Sequence, residues 1–302
     1  MPAGLLGIEE LDRAEIEAIL SRAKDFQLGP GQPLRKLDTL RGKMIVNLFF
    51  EASTRTRTSF EIAAKRLGAD AVSITAAGSS VSKGESLVDT LNTLAAMHPN
   101  AIVMRHAASG APHFLARHLS TPIINAGDGT HEHPTQALLD ARTILDHRPA
   151  LEGLRVAIIG DIAHSRVARS NIHLLSKFGA DIVLCGPASL LPPELGQIAP
   201  GVRLTTDIRE AIRDADVIMM LRVQLERQHE AAFPHGEYFQ FYGLRLEHLA
   251  LAKPEAIVMH PGPINRGREL ASEVADFQRS VILNQVENGI AVRMAVLERM
   301  IG

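Results

Sequence analysis

The sequence predicts an α/β protein of two domains, each a mostly parallel sheet flanked by helices. Three observations carry that expectation. Short apolar runs of strand length recur along the chain, among them 44–50, 101–104, 154–159, 182–185 and 257–260. Runs that are nearly unbroken, instead of alternating, are what strands covered on both faces require. Between them, apolar residues return at helical spacing and stop at glycines, as Phe60, Ala63, Ala64 and Leu67 do before Gly68. Finally, 302 residues are long for one core and suit two domains.

Composition narrows the function. A net charge of −2 and a scarcity of aromatics exclude a broad nucleic-acid surface or a charged tail, so positive charge matters only where it is local. The single cysteine, Cys185, excludes an internal disulfide framework and a cysteine-rich zinc site, and it suits a reducing cytoplasm. The first twenty residues mix acids through their apolar positions, unlike a signal peptide, and no apolar run approaches membrane-spanning length. Neither solenoid repeats nor low-complexity tracts occur.

Taken in order, the chain opens with a helix expected over about 8–26, where Ile8, Leu11, Ile16, Ile19 and Leu20 share one side. A buried strand over 43–50 follows, and then the stretch FFEASTRTRTSFE at 49–61. Its turn crowds Ser53, Thr54, Arg55, Thr56 and Arg57 onto the start of a helix. Helix starts already carry partial positive charge, so arginines there are unfavourable unless an anion joins them. Free N–H groups, hydroxyls and a guanidinium aimed at one point suit a phosphate. A strand over 69–75 leads to AAGSSVSKGE at 76–85, a Gly- and Ser-rich loop carrying Lys83. A helix over 85–97 precedes a strand over 101–104, which delivers Arg105 and His106 at its carboxyl end, where ligands of open α/β sheets collect.

A strand over 122–125 leads into GDGTHEHPTQALLD, in which Pro134 suits the first position of a helix. His131, Glu132 and His133 invite a metal reading, but two histidines two apart without a further ligand nearby make a weak site, and no metal is expected. His133 donating a hydrogen bond to a carbonyl oxygen, with Gln136 one helical turn on, is the favoured reading; a histidine capping its own loop is the alternative. In the second half, the strand over 154–159 ends in Gly160 without the further glycines of a dinucleotide fingerprint. Its turn offers Asp161, His164, Ser165 and Arg166 instead. A short helix over 206–214 precedes a strand over 216–221, which hands over Arg222 and Gln224; alternating on an extended segment, these two face one way and suit a carboxylate. After the strand over 257–260, HPGPINRGREL places Gly262 between Pro261 and Pro263 in a rigid turn, and a helix over 285–300 closes the chain.

These motifs together resemble the aspartate/ornithine carbamoyltransferase family: STRTRTSFE after a strand, a cation ending a later strand and HPTQ opening a helix. The resemblance covers essentially the whole chain. It implies a carbamoyl phosphate-binding domain over 1–134, with a C-terminal helix over 286–302 packing back on it, and an aspartate-binding domain over 135–285, linked by two crossing helices. It implies that Ser53, Thr54, Arg55 and Thr56 hold the phosphate, that Arg105, His133 and Thr56 polarise the carbamoyl oxygen, and that Gln136 takes the carbamoyl amide. It further implies that a neighbouring subunit donates Ser79 or Ser80 and Lys83 to the site, in a homotrimer with shared active sites. RVQLER and HPGP resemble the aspartate branch, in which Arg166 and Arg222 would clamp two carboxylates beside Gln224, with Lys83, Gly262 and Pro263 lining the same substrate. The ornithine branch would carry a cysteine in the HPGP turn and an SMG segment, and neither is present.

The reaction so implied moves the carbamoyl group of carbamoyl phosphate to the α-amino group of L-aspartate, in cytoplasmic pyrimidine biosynthesis, without cofactor. A regulatory or dihydroorotase-like partner subunit is compatible with it. Charge agrees independently, since Arg55, Arg105, His133, Arg166, Arg222 and Lys83 gather without a carboxylate pair or nucleophile triad, which suits two anionic substrates. Glu51 is expected to pair with arginines across the cleft. Two alternatives stay open: a carbamoyltransferase for another amine, such as ornithine or an acetylated amino acid, and a non-catalytic anion-binding subunit of the same fold.

Overall fold

A computed structural model describes residues 4–29, 31, 33, 36–75, 86–223 and 235–302. The chain divides into two compact units, Met1–Leu139 with Glu287–Gly302, and Asp140–Val286.

The first unit alternates β1 (Gly4–Leu5), α1 (Arg13–Phe26), β2 (Met44–Phe49), α2 (Thr54–Arg66), β3 (Asp70–Thr75), α3 (Leu87–Ala95), β4 (Ala101–His106), α4 (Ala111–Ala116) and β5 (Ile123–Asp128), then enters α5 (Pro134–His147). Its five strands are parallel in the order β1-β5-β4-β2-β3. The apolar runs at the middle of that order became strands because both faces are covered, with Ile45, Leu48, Ile102, Val103 and Met104 fully buried. Helix α1 starts five residues later than its apolar stripe implies. Asp12 accepts a hydrogen bond from the Glu15 N–H while the Glu15 carboxylate accepts one from the Asp12 N–H, and this capping box fixes the start. Ile8 and Leu11 therefore lie in the preceding turn, although Ile8 is fully buried there. Ser86 caps α3 by accepting from the Asp89 N–H. Strand β4 runs two residues further than its apolar segment and takes in Arg105 and His106.

The second unit holds β6 (Arg155–Ile159), α6 (Arg166–Lys177), β7 (Asp181–Cys185), β8 (Arg203–Thr205), α7 (Ile208–Ile212), β9 (Val217–Met220), α8 (His235–Tyr242), α9 (Leu246–Leu249), β10 (Ile257–Met259), α10 (Ser272–Ala275) and the first residues of α11 (Ile282–Ile301). Its strands are again all parallel, in the order β10-β9-β6-β7-β8. Cys185 lies in the core of this unit, where burial pushes its thiol up to about 12, so it is neither a nucleophile nor a ready metal ligand.

Both sheets are wound from the middle. In the first, β2 connects outward to β3, and the chain then crosses back to place β4 on the other side of β2. In the second, β6 leads out to β7 and β8 before β9 returns to its other flank. Loops leaving β2 and β4, or β6 and β9, therefore diverge and open a crevice at the carboxyl ends of the strands. Both unit boundaries fall inside continuous helices, α5 and α11. The later part of α11 is tied into the first unit: Arg22 donates to Glu298 at 2.6 Å, Arg299 to Glu15 at 2.8 Å and Gln27 to Asn288 at 2.6 Å. Among the described residues no helix is long and apolar enough to cross a membrane.

Phe60 is fully buried on α2, and the Arg293 guanidinium from α11 sits 5.2 Å from its ring centroid. Phe60→Ala is expected to lower stability by about 3–5 kcal/mol through the cavity it leaves. The measurement is the denaturant midpoint of the transition that melts the first unit; an unshifted midpoint would show that this ring does not anchor the core.

Candidate active site

The first crevice starts where β2 ends at Phe49 and α2 begins at Thr54. Ser53 occupies the N-cap position, yet its hydroxyl makes no capping hydrogen bond, and no acid stands in the first turn of the helix. The positive end of the helix thus carries Arg55 and Arg57 with no carboxylate from its own first turn, and Arg57 approaches Glu61, one turn on, only to 3.9 Å. Thr54 and Arg55 are exposed, while Thr56 is buried. Hydroxyls and a guanidinium at the end of a helix dipole form an anion seat.

Arg105 reaches the same edge through the sheet register, because it pairs with Phe49 across β2 and β4. Its carbonyl accepts from the Phe50 N–H at 2.9 Å, its Nη1 donates to the Ala126 carbonyl at 3.3 Å, and its Nη2 lies 2.8 Å from Glu51. The guanidinium is therefore fixed between the turn after β2 and the end of β5. Glu51 pairs with this arginine of its own unit.

The third contributor follows β5. Asp128 and Glu132 are almost fully buried, and together they hold the loop that delivers His133. Asp128 Oδ1 accepts from the Asn125 amide and the Glu132 N–H, and its Oδ2 accepts from the Gly110 N–H and the His131 ring. Glu132 accepts from the N–H groups of Ile8 and Glu9. Burial alone would push the Asp128 carboxyl up, but the bonds from His131, Asn125 and Gly110 outweigh it and hold the group below its ordinary value. The same carboxylate holds His131 above its ordinary value against the effect of burial. His133 and Gln136 are buried at the start of α5, whose first hydrogen bonds go to the His133 carbonyl and not to its ring.

The HEH triplet does not converge, since His131 turns to Asp128 and Glu132 to the backbone of the chain start. Among the described residues, ligating atoms of His113, Asp128 and His131 do lie within 4.8 Å of one another. Both Asp128 oxygens are already engaged by the four donors above, so this carboxylate serves the loop.

The second crevice opens after β6. Gly160 has φ +142°, and a Cβ there would sit 2.9 Å from that of Leu221, so only glycine lets the strands leaving β6 and β9 come this close. Asp161 accepts from the N–H and ring of His164, and Ser165 caps α6 by accepting from the Ala168 N–H at 3.1 Å. Arg166 is then the first residue of the helix, and it is buried, unlike a solvated surface charge. Met220 pairs with Ile159 in the sheet, and Arg222 follows two residues later, half-buried. After β10, Gly262 (φ +66°) donates its N–H to His260 Nδ1 at 2.8 Å, leaving Gly262 half-buried and Pro263 exposed at the tip. The NRG segment beyond is an ordered turn, with Arg266 donating to both Asp276 oxygens. Gln224, Lys83, Ser79 and Ser80 lie outside the described residues.

Within the first unit, then, Arg105 lies at the carboxyl end of β4, and Ser53, Thr54, Arg55, Thr56, His133 and Gln136 follow its neighbours β2 and β5. Within the second, Arg166, Arg222, Gly262 and Pro263 follow the neighbouring strands β6, β9 and β10. Sequence reasoning missed the buried supports Asn125, Asp128, Glu132, Asp140, Glu269 and Gln285. The one visible signal was a pair of acids four apart in NAGDGTHEHP, which reads as a solvated loop.

Residues 4–146 match the family model described as aspartate/ornithine carbamoyltransferase, carbamoyl-P binding domain, and residues 152–300 match that of its Asp/Orn binding domain. An aspartate carbamoyltransferase catalytic subunit from Solibacter usitatus is 87% identical over 302 residues, covering 100% of each chain. The structure of aspartate transcarbamoylase from Trypanosoma cruzi in complex with carbamoyl aspartate and phosphate superposes with a TM-score of 0.87 at 32% identity, over 98% of this chain and 95% of that one. Ornithine carbamoyltransferase from Pyrococcus furiosus gives a TM-score of 0.87 at 31% identity, over 98% and 96%. The fold alone does not separate the two acceptors.

The Asp128–His131 pair sets a pH window. Asp128 lies below its ordinary 3.8, so its contribution is complete above that value and is lost as pH falls through the lowered one. His131 lies above its ordinary 6.5, so its contribution is complete below that value and is lost as pH rises through the raised one. Thermal midpoints of the wild type and His131→Gln should differ most between pH 3.8 and 6.5 and converge toward alkaline pH. A difference that grows above neutral pH would contradict the pairing.

Proposed function

The chain belongs to the aspartate/ornithine carbamoyltransferase family, and from that premise we propose that it transfers the carbamoyl group of carbamoyl phosphate to the α-amino group of L-aspartate. The products are N-carbamoyl-L-aspartate and phosphate. The observation that carries the reading is the combination, in one chain, of a cation-bearing helix start with no acid in its first turn and, in the other unit, two arginines at the switch point of the sheet.

Phosphate sits on the α2 N-terminus, held by Ser53, Thr54, Arg55 and Thr56. Arg105, His133 and Thr56 donate to the carbamoyl oxygen, where negative charge develops. Gln136 takes the carbamoyl amide and fixes which face of the carbon is attacked. The neutral amine of aspartate forms the new N–C bond, the C–O bond to phosphate breaks, and the departing phosphate accepts the amine's proton. No side chain need act as nucleophile. Arg166 and Arg222 clamp the two carboxylates of aspartate beside Gln224, Gly262 and Pro263. An ornithine acceptor offers one carboxylate and an α-ammonium in place of two carboxylates, so one of the two guanidinium groups would lose its partner, which disfavours it.

Lys83, in its own site or a neighbour's, completes the positive lining in this reading, within a homotrimer that shares active sites. Strand β3 favours assembly, because it forms the edge of its sheet and leaves Val72 48% exposed. The lone buried Cys185 suits a reducing cytoplasm.

Purified chain supplied with carbamoyl phosphate and a panel of amines should carbamoylate aspartate, and preference for ornithine would overturn the assignment. Arg55→Ala should lose a charge-assisted contact of about 1.5–3 kcal/mol, weakening carbamoyl phosphate binding roughly ten- to a hundredfold. Steady-state KM for each substrate is the measurement; an unchanged value for carbamoyl phosphate would remove the phosphate seat from α2. Arg222→Ala is expected to raise KM for aspartate by a similar factor and leave that for carbamoyl phosphate nearly untouched.

A further inference from the structure

The turn that carries Gly262 and Pro263 follows β10, and the helix that carries Arg166 follows β6, with β9 between them in the sheet. Among the described residues β10 and β6 are linked in the sheet only through β9, and the loops beyond their carboxyl ends lie past the last ladder pairs.

A chain of buried side chains spans that gap. The Asn171 amide on α6 donates to Asp140 Oδ2 at 2.8 Å, and the Gln285 amide on α11 donates to Asp140 Oδ1 at 2.7 Å. Gln285 Oε1 in turn accepts from the His260 N–H at 2.9 Å, at the first residue of the HPGP turn. His260 Nδ1 accepts from the Gly262 N–H at 2.8 Å, and its Nε2 lies 3.3 Å from Glu269. Glu269 closes the turn by accepting from the N–H and side-chain amide of Asn265. Asn171, Asp140, His260 and Glu269 are at most 1% exposed and Gln285 is 2% exposed, so water does not replace these bonds when one is lost.

We infer that Asp140 and Gln285 are positioning residues for the amine substrate, a joint clamp that sets the distance between Arg166 and the Gly262–Pro263 turn. The inference rests on the function proposed above. Gln285 is suited to the part because its amide and carbonyl face different partners: the amide holds α6 through Asp140, and the carbonyl holds the turn through His260.

The test uses steady-state kinetics of Gln285→Ala, Gln285→Glu and the exchange Asp140→Asn with Gln285→Glu. In the exchange, the amide placed on α5 would donate to the carboxylate placed on α11 and still accept from Asn171. That carboxylate would still accept from the His260 N–H, so both links return with donor and acceptor reversed between the two helices. Each single variant should raise KM for aspartate about tenfold and change KM for carbamoyl phosphate by less than about twofold, and the exchange should recover most of the loss. An unchanged aspartate KM in the single variants, or equal rises in both KM values, overturns the clamp. If Gln285→Ala does not fold, the comparison of Gln285→Glu with the exchange decides alone: no recovery overturns the proposal. A wild-type chain that does not carbamoylate aspartate refutes the function itself, a result distinct from any of these.

Discussion

A parallel sheet sends the carboxyl end of every strand to the same edge, so whatever the sequence places just after one strand is brought beside what it places after the next. That constraint governs both units. It is why Arg105, in register with Phe49, meets the start of α2, and why Arg222 comes two residues after the partner of Ile159. Gathering guanidinium groups is unfavourable by Coulomb repulsion and, for the buried Arg166, by lost hydration as well. Glu51 neutralises part of the charge in the first crevice by pairing with Arg105.

The acids of the structure do a different job from the cations. Asp128, Glu132, Asp140 and Glu269 are buried, and each accepts hydrogen bonds from loop backbone or buried amides. A buried carboxylate without such donors would be strongly unfavourable; with them it holds two to four chain segments at fixed spacing. The loops that bear reactive groups thus acquire the rigidity usually reserved for helices and strands. A transfer that needs only orientation and oxyanion stabilisation benefits from that arrangement.

Much of this was legible beforehand, and the reasons for the failures are physical. The apolar runs and the β2–α2 junction could be read because burial on both faces and a crowd of arginines at a helix start each have a direct signature. The start of α1 misled because Ile8 and Leu11 continue its apolar stripe, although the Asp12–Glu15 capping box was present in the sequence. Strand β1 is two residues long, below what any pattern resolves. Several of the buried supports were invisible because a partner is remote: Asn125 bonds to Leu6 across 119 positions, Glu132 to Ile8 across 124 and Gln285 to Asp140 across 145. Locally, an aspartate between glycines resembles solvated loop.

The division of the chain inside α5 and α11 has a consequence for biosynthesis. A ribosome emits all of Asp140–Val286 before it emits Glu287–Gly302, the segment whose Arg293 covers Phe60 and whose Glu298 holds Arg22. The unit begun first is therefore the one finished last, and during synthesis its helices α1 and α2 wait without the segment that Arg22 and Phe60 meet, while the later-encoded unit already has every residue it needs.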